Sequence, residues 1–249
     1  MQASAELIEA AERATLAALS PVAMEELDGW LLPYEPSVVG RAKSAVPLRH
    51  RNVTPAHVEE IISRYRARGL APRFRLADVP GLDALHAALT QRGFTPVTPT
   101  RVEFGTLAAL ISLATPSRGR VLELLDATWR DAFLSAGAHD RTEEESRLAI
   151  LQRNPDSLFA EVRDGAEVLS MGTAHVGLGL LSLHGIRTAP QARGRGLAAH
   201  VLAALGGVGV ARGAEHTLLQ VEEDNHAARA LYARAGFRHA WTYRYWIER

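Results

Sequence analysis

The chain has 249 residues, 47% of them apolar and 22% charged, which leaves room for two compact units that each bury a core. Its 28 basic residues balance 28 acidic ones, which argues against a nucleic-acid or membrane-surface partner. Cysteine is absent, so disulfides, a thiol nucleophile and thiolate metal sites are excluded.

From Met1 to Leu19 apolar and acidic residues alternate around Arg13, which predicts an amphipathic helix over Ala5–Leu19 and not a signal peptide. No window approaches the roughly twenty apolar residues of a membrane span, so the expectation is a cytoplasmic protein. Strands are predicted at Gly29–Tyr34 and Gly40–Val46, then a helix opened by Thr54-Pro55. A strand at Arg73–Ala77, a helix at Leu82–Gln91 and a strand at Arg101–Thr106 follow. The polar run Ala114–Gly119 reads as a linker, dividing the chain into residues 1–114 and 115–249. Lys43, the only lysine, reads as a compositional bias toward arginine.

The second part predicts helices at Ala127–Leu134 and Glu143–Gln152, the latter with Thr142 and Glu145 as a capping box. A hairpin turns at Arg163-Asp164-Gly165 between Leu158–Val162 and Val168–His175. Next come a strand over Leu180–Thr188, a glycine turn at Arg193-Gly194-Arg195-Gly196, and a helix begun by Leu197-Ala198. Gly206, Gly207 and Gly209 lie inside that helix, each less favourable than alanine by about 1 kcal/mol. The strand Leu218–Val221, the helix from His226 to Ala235 and terminal strands complete the chain.

A glycine turn between strand and helix gathers free backbone N–H groups at the positive end of a helix dipole, a place for a phosphate. Arg193 and Arg195 add fixed positive charge. The absence of G-K-[ST] argues against a nucleotide-dependent kinase. The pair R-G-R-G-L-A (Arg193–Ala198) and N-x-x-A-x-x-L-Y-x-x-x-G-F (Asn225–Phe237) resembles the GCN5-related N-acetyltransferases over about the last half of the chain.

That resemblance implies an α/β fold whose central sheet is mixed, mostly antiparallel and flanked by helices, with acetyl-CoA as co-substrate. Two registers of its pyrophosphate motif fit, Gln191-x-x-Gly194-x-Gly196 and Arg193-x-x-Gly196-x-Ala198. Backbone N–H groups from Arg193, Gly194, Arg195, Gly196, Leu197 and Ala198 would hold the pyrophosphate, the backbone of Thr188 the pantetheine arm, and Asn225 the cofactor or its own helix. Tyr232 would protonate the departing thiolate, unless it is core. For the base, His184 and Glu222 both stay open. The scattered histidines match no metal-ligand spacing, so no metal is expected. The implied partner is a small-molecule amine, with substrate walls from Phe133–Arg141 and His239–Trp246; a homodimer is left open. A non-catalytic acyl-CoA-binding module is the alternative.

The two halves also repeat at an offset of 144 residues, Ala67-Arg68-Gly69 facing Ala211-Arg212-Gly213 and Gly93-Phe94 facing Gly236-Phe237 with one residue of slippage. Arg49-His50-Arg51-Asn52-Val53-Thr54 stands opposite Arg193–Ala198, with every glycine replaced, while Leu89 faces Tyr232 and Leu82 faces Asn225. The expectation is a tandem of like domains in which only the second keeps the cofactor pattern.

Overall fold

The computed structural model describes residues 3–122 and 124–249; Met1 and Gln2, at the head of the expected first helix, lie outside them. α1 (Ala5–Leu19) starts at Ser4, whose Oγ accepts the Leu7 N–H at 3.2 Å, and ends on Ser20 in the left-handed region at φ 45°. β1 (Ala23–Leu27) and β2 (Trp30–Tyr34) form a hairpin over Asp28-Gly29, both at positive φ (43° and 81°), and β3 (Val46–Pro47) pairs with β2. α2 (Val58–Ala67), β4 (Arg73–Ala77), α3 (Asp83–Gln91), β5 (Phe94–Thr106) and α4 (Leu107–Ser112) complete the first part.

Two expectations change here. The strand at Gly40–Val46 is instead a 3₁₀ turn over Gly40–Lys43 followed by short β3. Val39 and Ala42, three residues apart, both enter the core around Trp129 and Phe133, which an alternating strand would not permit. β5 begins seven residues earlier than Arg101, because Pro96 and Pro99 read as breakers. They are tolerated because that stretch pairs with β11 alone, β10 joining only from Thr100 onward.

In the second part come β6 (Arg120–Leu122), α5 (Ala127–Ser135), α6 (Arg141–Arg153), β7 (Leu158–Asp164), β8 (Glu167–Gly177), β9 (Leu180–Thr188), α7 (Leu197–Ala211), β10 (His216–Glu222), α8 (His226–Arg234) and β11 (Arg238–Glu248). The capping box at Thr142 does not form: Asp140 caps α6, its Oδ1 accepting the Glu143 N–H at 2.9 Å. The glycines of α7 mark close approaches. A Cβ on Gly206 would stand 3.1 Å from Ile111 Cγ1, and one on Gly209 3.0 Å from Leu181 Cδ2, so α4 and β9 pack tightly on the helix. Gly207 meets nothing within 4 Å.

Among the described residues, three strands form one sheet (β1-β2-β3) and eight form a mixed sheet in the order β4-β11-β5-β10-β9-β8-β7-β6, in which only β9 and β10 are parallel. The Ala45–Phe74 bridge joins the two sheets, Ala45 donating to Arg73 O at 2.9 Å. The halves are interlocked: β11 lies between β4 and β5, and β5 lies between β11 and β10. The register obeys the repeat, since Arg238 opposite Phe104 and Ile247 opposite Thr95 are one pairing seen from either copy. On one face of the large sheet α4, α7 and α8 pack on Leu181, Leu183, Leu219 and Val221. On the other, α1 packs on β8 and β9 beside α5 and α6.

Candidate active site

β9 and β10 pair from Leu180/His216 to Leu183/Leu219 and then separate. The cause lies in β9. Between Met171 and Thr173 of β8 the register shifts, so that Gly185 and Ile186 oppose Gly172 alone, and Gly185 takes φ 57°. A bulge of this kind bends its strand away from a neighbour. Beyond Leu183 the β10-facing edge of β9 therefore has no strand partner, which leaves backbone donors and acceptors lining a wedge between the two strands. The wedge opens near Thr188 and Val221, where the resemblance places the pantetheine arm.

The glycine turn stands at the mouth of this wedge. Gly194 (φ 76°) and Gly196 (φ 73°) both take left-handed conformations, and a Cβ on either would meet nothing within 4 Å. Gly196 caps α7 with no side chain bonded to the first turn, so the N–H groups at Leu197 and Ala198 stay free for an anion. Arg193 reaches back, its Nε donating to Thr188 O at 3.4 Å, while Arg195 is exposed. Gln191 is not free: its Nε2 donates to Glu167 Oε1 at 2.6 Å, which favours the register starting at Arg193 for ligand contact. Asn225 caps α8, its Oδ1 accepting the Ala228 N–H at 3.1 Å.

Tyr232 is 8% exposed on α8, edge-on to Phe237 with centroids 5.7 Å apart. Burial and then the nearby Glu103 carboxylate push its phenol up to about 12, so it holds its proton across the physiological range. Its hydroxyl makes no hydrogen bond among the described residues. Leu89 at the equivalent place in the first half is fully buried core.

The two candidate bases part company. Glu222 is exposed at the end of β10. His184 sits on β9 directly after the last paired residue, on the face covered by α1, and is 5% exposed with neither ring nitrogen hydrogen-bonded. Burial, with Arg41 and His175 adding to it, holds its pKa well below the ordinary value, so the ring is neutral.

On the same face lies a set of buried and half-buried polar side chains that the motifs did not reveal. Gln220 donates to Thr15 Oγ1 of α1 at 2.9 Å and accepts from the Tyr243 hydroxyl at 2.9 Å, which lies 3.2 Å from that of Tyr245. Arg75 is paired with Glu12 of α1 and lies over the Tyr243 ring at 5.1 Å. Ser182 Oγ is buried without a partner. The alternation of Trp241, Tyr243 and Tyr245 was the available signal, since it puts both tyrosines on one face of β11. Arg187 ties the end of β9 to α5 and α6 through Glu144 (2.6 Å) and the Phe133 ring (3.7 Å).

The equivalent loop in the first half is differently filled. Asn52, opposite Gly196, keeps the left-handed backbone at φ 57°. His50, opposite Gly194, turns its ring against Trp241 at 5.1 Å, where burial lowers its pKa to about 4. The adjoining cleft of about 230 Å³ contains Asp28, bonded to His57 at 3.3 Å, a carboxylate unsuited to a pyrophosphate neighbour.

Among the described residues no cluster of metal-ligating side chains occurs, and no helix is long and apolar enough to cross a membrane. A family model described as "Probable histone acetyltransferase Rv0428c C-terminal" matches residues 5–246. A Bacillus subtilis relative, "Uncharacterized N-acetyltransferase YobR", is 29% identical over 124 residues, 49% of this chain and 50% of its own length, so the chain spans about half of that relative. The fold is shared with a GCN5-related N-acetyltransferase from Kribbella flavida (TM-score 0.71, 16% identity, 100% of this chain and 96% of that one). It is also shared with a tandem GNAT protein from the clavulanic acid biosynthesis pathway (TM-score 0.58, 14% identity, 96% and 94%). With its wedge, glycine turn and Asn225–Phe237 helix in that arrangement, the chain belongs to the Rv0428c C-terminal family of the GCN5-related N-acetyltransferases.

Proposed function

We propose that the protein transfers the acetyl group of acetyl-CoA to a primary amine of a small-molecule acceptor. The observation that carries this reading is the wedge between β9 and β10, which opens beside the free N–H groups after Gly196. These donors would hold the pyrophosphate, and the unpaired edge of β9 the pantetheine arm. The second half alone would do this, the first having His50 and Asp28 in the corresponding place.

The amine would attack the acetyl carbon directly, beside His184. As the N–C bond forms, the nitrogen becomes strongly acidic, so even a weakly basic neutral His184 can take its proton. As the C–S bond breaks, Tyr232 donates its proton toward the sulfur from the α8 side. The same desolvation that raises the phenol raises a buried thiol, which keeps the two matched. Fixing amine and thioester together supplies much of the rate gain.

Steady-state acetyl transfer over a panel of amino acids, polyamines and amino sugars tests the reading, with calorimetric titration of CoA in parallel. Transfer to at least one amine, with CoA binding weakened by Gly196→Ala, is expected. CoA binding without transfer to any amine would instead favour a non-catalytic acyl-CoA-binding module, the reading that the exposure of Glu222 and the weak basicity of His184 keep in play.

A further inference from the structure

Four cations on the α1 face outnumber the two carboxylates beside them, Glu35 and Glu143. Arg41 and Lys43 come from the 3₁₀ turn, Arg73 from the start of β4 and Arg147 from α6. All four are half-buried. Glu35 is bonded to Arg153, outside the group, and Glu143 is shared between His139 at 3.3 Å and Arg147 at 3.9 Å. Arg147 Nε is buried without a hydrogen-bond partner. Burial and then the charge of Arg73, with Arg147 adding to it, lower the pKa of Lys43 against the opposing pull of Glu35 and Glu143. With a formal net charge of zero over the whole chain, this excess is local.

The cluster connects to the wedge by continuous contact. Gly40 packs on the Tyr245 ring, where a Cβ would be 2.8 Å from Cζ, and Arg73 lies over the same ring at 5.8 Å. Val38 N–H donates to Ser146 Oγ at 3.3 Å, which fixes α6 and Arg147 against the turn. Tyr245 touches Tyr243, Tyr243 touches Gln220, and Gln220 is the first residue of β10 past the last pair with β9. Opposite it stands His184, buried and unpartnered, its ring kept neutral by burial and then by the charge of Arg41. Cations thus line one end of a polar path whose other end is the reacting position.

We infer that the acceptor is an amine that also bears an anionic group, a carboxylate or phosphate monoester, which docks on Arg41, Lys43, Arg73 and Arg147 while the amine reaches His184 and Gln220. This rests on the acetyl-transfer reading and adds its substrate class. Both halves build the site, three cations coming from the half without the glycine turn. A strongly cationic acceptor such as a basic peptide or polyamine would be repelled from it.

The single lysine allows a test that does not need turnover. Reductive methylation of the full chain with ¹³C-formaldehyde labels Lys43 and the N-terminal amine, and each keeps its charge. The labelled protein is titrated with β-alanine and its amide, with glucosamine 6-phosphate and glucosamine, and with inorganic phosphate. The expected result is a saturable shift of the Lys43 resonance and a raised Lys43 pKa with an anionic member, tenfold weaker or absent with its neutral partner. Arg73→Gln should weaken that response about tenfold, and Arg73→Lys should restore most of it. In turnover the anionic member should show the lower KM, and Arg73→Gln should raise that KM more than the KM of the neutral amine. Equal responses to anionic and neutral members, or no response of Lys43 to any, would overturn the inference. A Lys43 response with no acetylated product would leave the anion site standing and remove the acetyl-transfer reading instead.

Discussion

At Gly196 the backbone takes φ 73°, a conformation that disfavours any side chain by roughly 1–2 kcal/mol. Gly196→Ala should therefore lower unfolding free energy by about that amount in urea titration and weaken CoA binding. At the equivalent Asn52 the strain is already relieved by an asparagine, which tolerates this region, so Asn52→Gly should change stability by only a few tenths of a kcal/mol. Tyr232→Phe removes a proton and little volume. It should lower kcat by roughly 10²-fold while leaving the KM for acetyl-CoA within about twofold; an unchanged kcat would remove the acid role. The glycine turn and the place of Tyr232 on its helix were legible because local spacing sets both. The polar set of Glu12, Arg75, Gln220 and Tyr243 was not, because its members come from α1, β4, β10 and β11 and meet only in space.

Between elements, the glycines of α7 separate packing from propensity. Gly209→Val would drive a side chain into Leu181 and Leu107 and should destabilise by about 1–3 kcal/mol. Gly207→Ala, on an open face of the same helix, should stabilise by roughly 0.5–1 kcal/mol. Thermal unfolding of the pair tests this, and equal effects would contradict the close approach of β9 to α7. Glu35 joins β2 to α6 through Arg153 and accepts N–H groups of Val22 and Ser37. Burial opposes its charge, but Arg153 and these bonds prevail and lower its pKa. Because the folded value is the depressed one, its contribution is complete above the unfolded pKa of about 4.3 and is lost as pH falls through the folded value. Wild type and Glu35→Gln should accordingly differ in stability at pH 7 and converge in acid. Sequence period found most helices and strands, yet misread Gly40–Val46, where the inward positions are set by Tyr245 and α5 rather than by local pattern.

For the whole molecule, the exchange of β5 and β11 decides how the chain must fold. Cutting it at residue 114 would break three pairings, β4 with β11, β11 with β5 and β5 with β10, and expose the interior edges of all four strands. Neither fragment should give a cooperative unfolding transition alone, whereas co-expressed fragments should associate and the intact chain should unfold in one step. Two independent transitions in calorimetry would contradict the interlock. Asn154, donating to Ala17 O at 2.8 Å, and Arg153, donating to Ser20 O at 2.9 Å, further tie the halves together.

Residue identity and spacing determined the glycine turn, the Asn225–Phe237 helix and the existence of a repeat, since each depends on contacts within one supersecondary unit. Tertiary structure alone decided that the repeats share a sheet, where β9 leaves β10, and that α1 covers the polar face of the wedge. The physical reason is pairing: a strand's sequence states which face it buries, but nothing in it names the strand that will satisfy its edge.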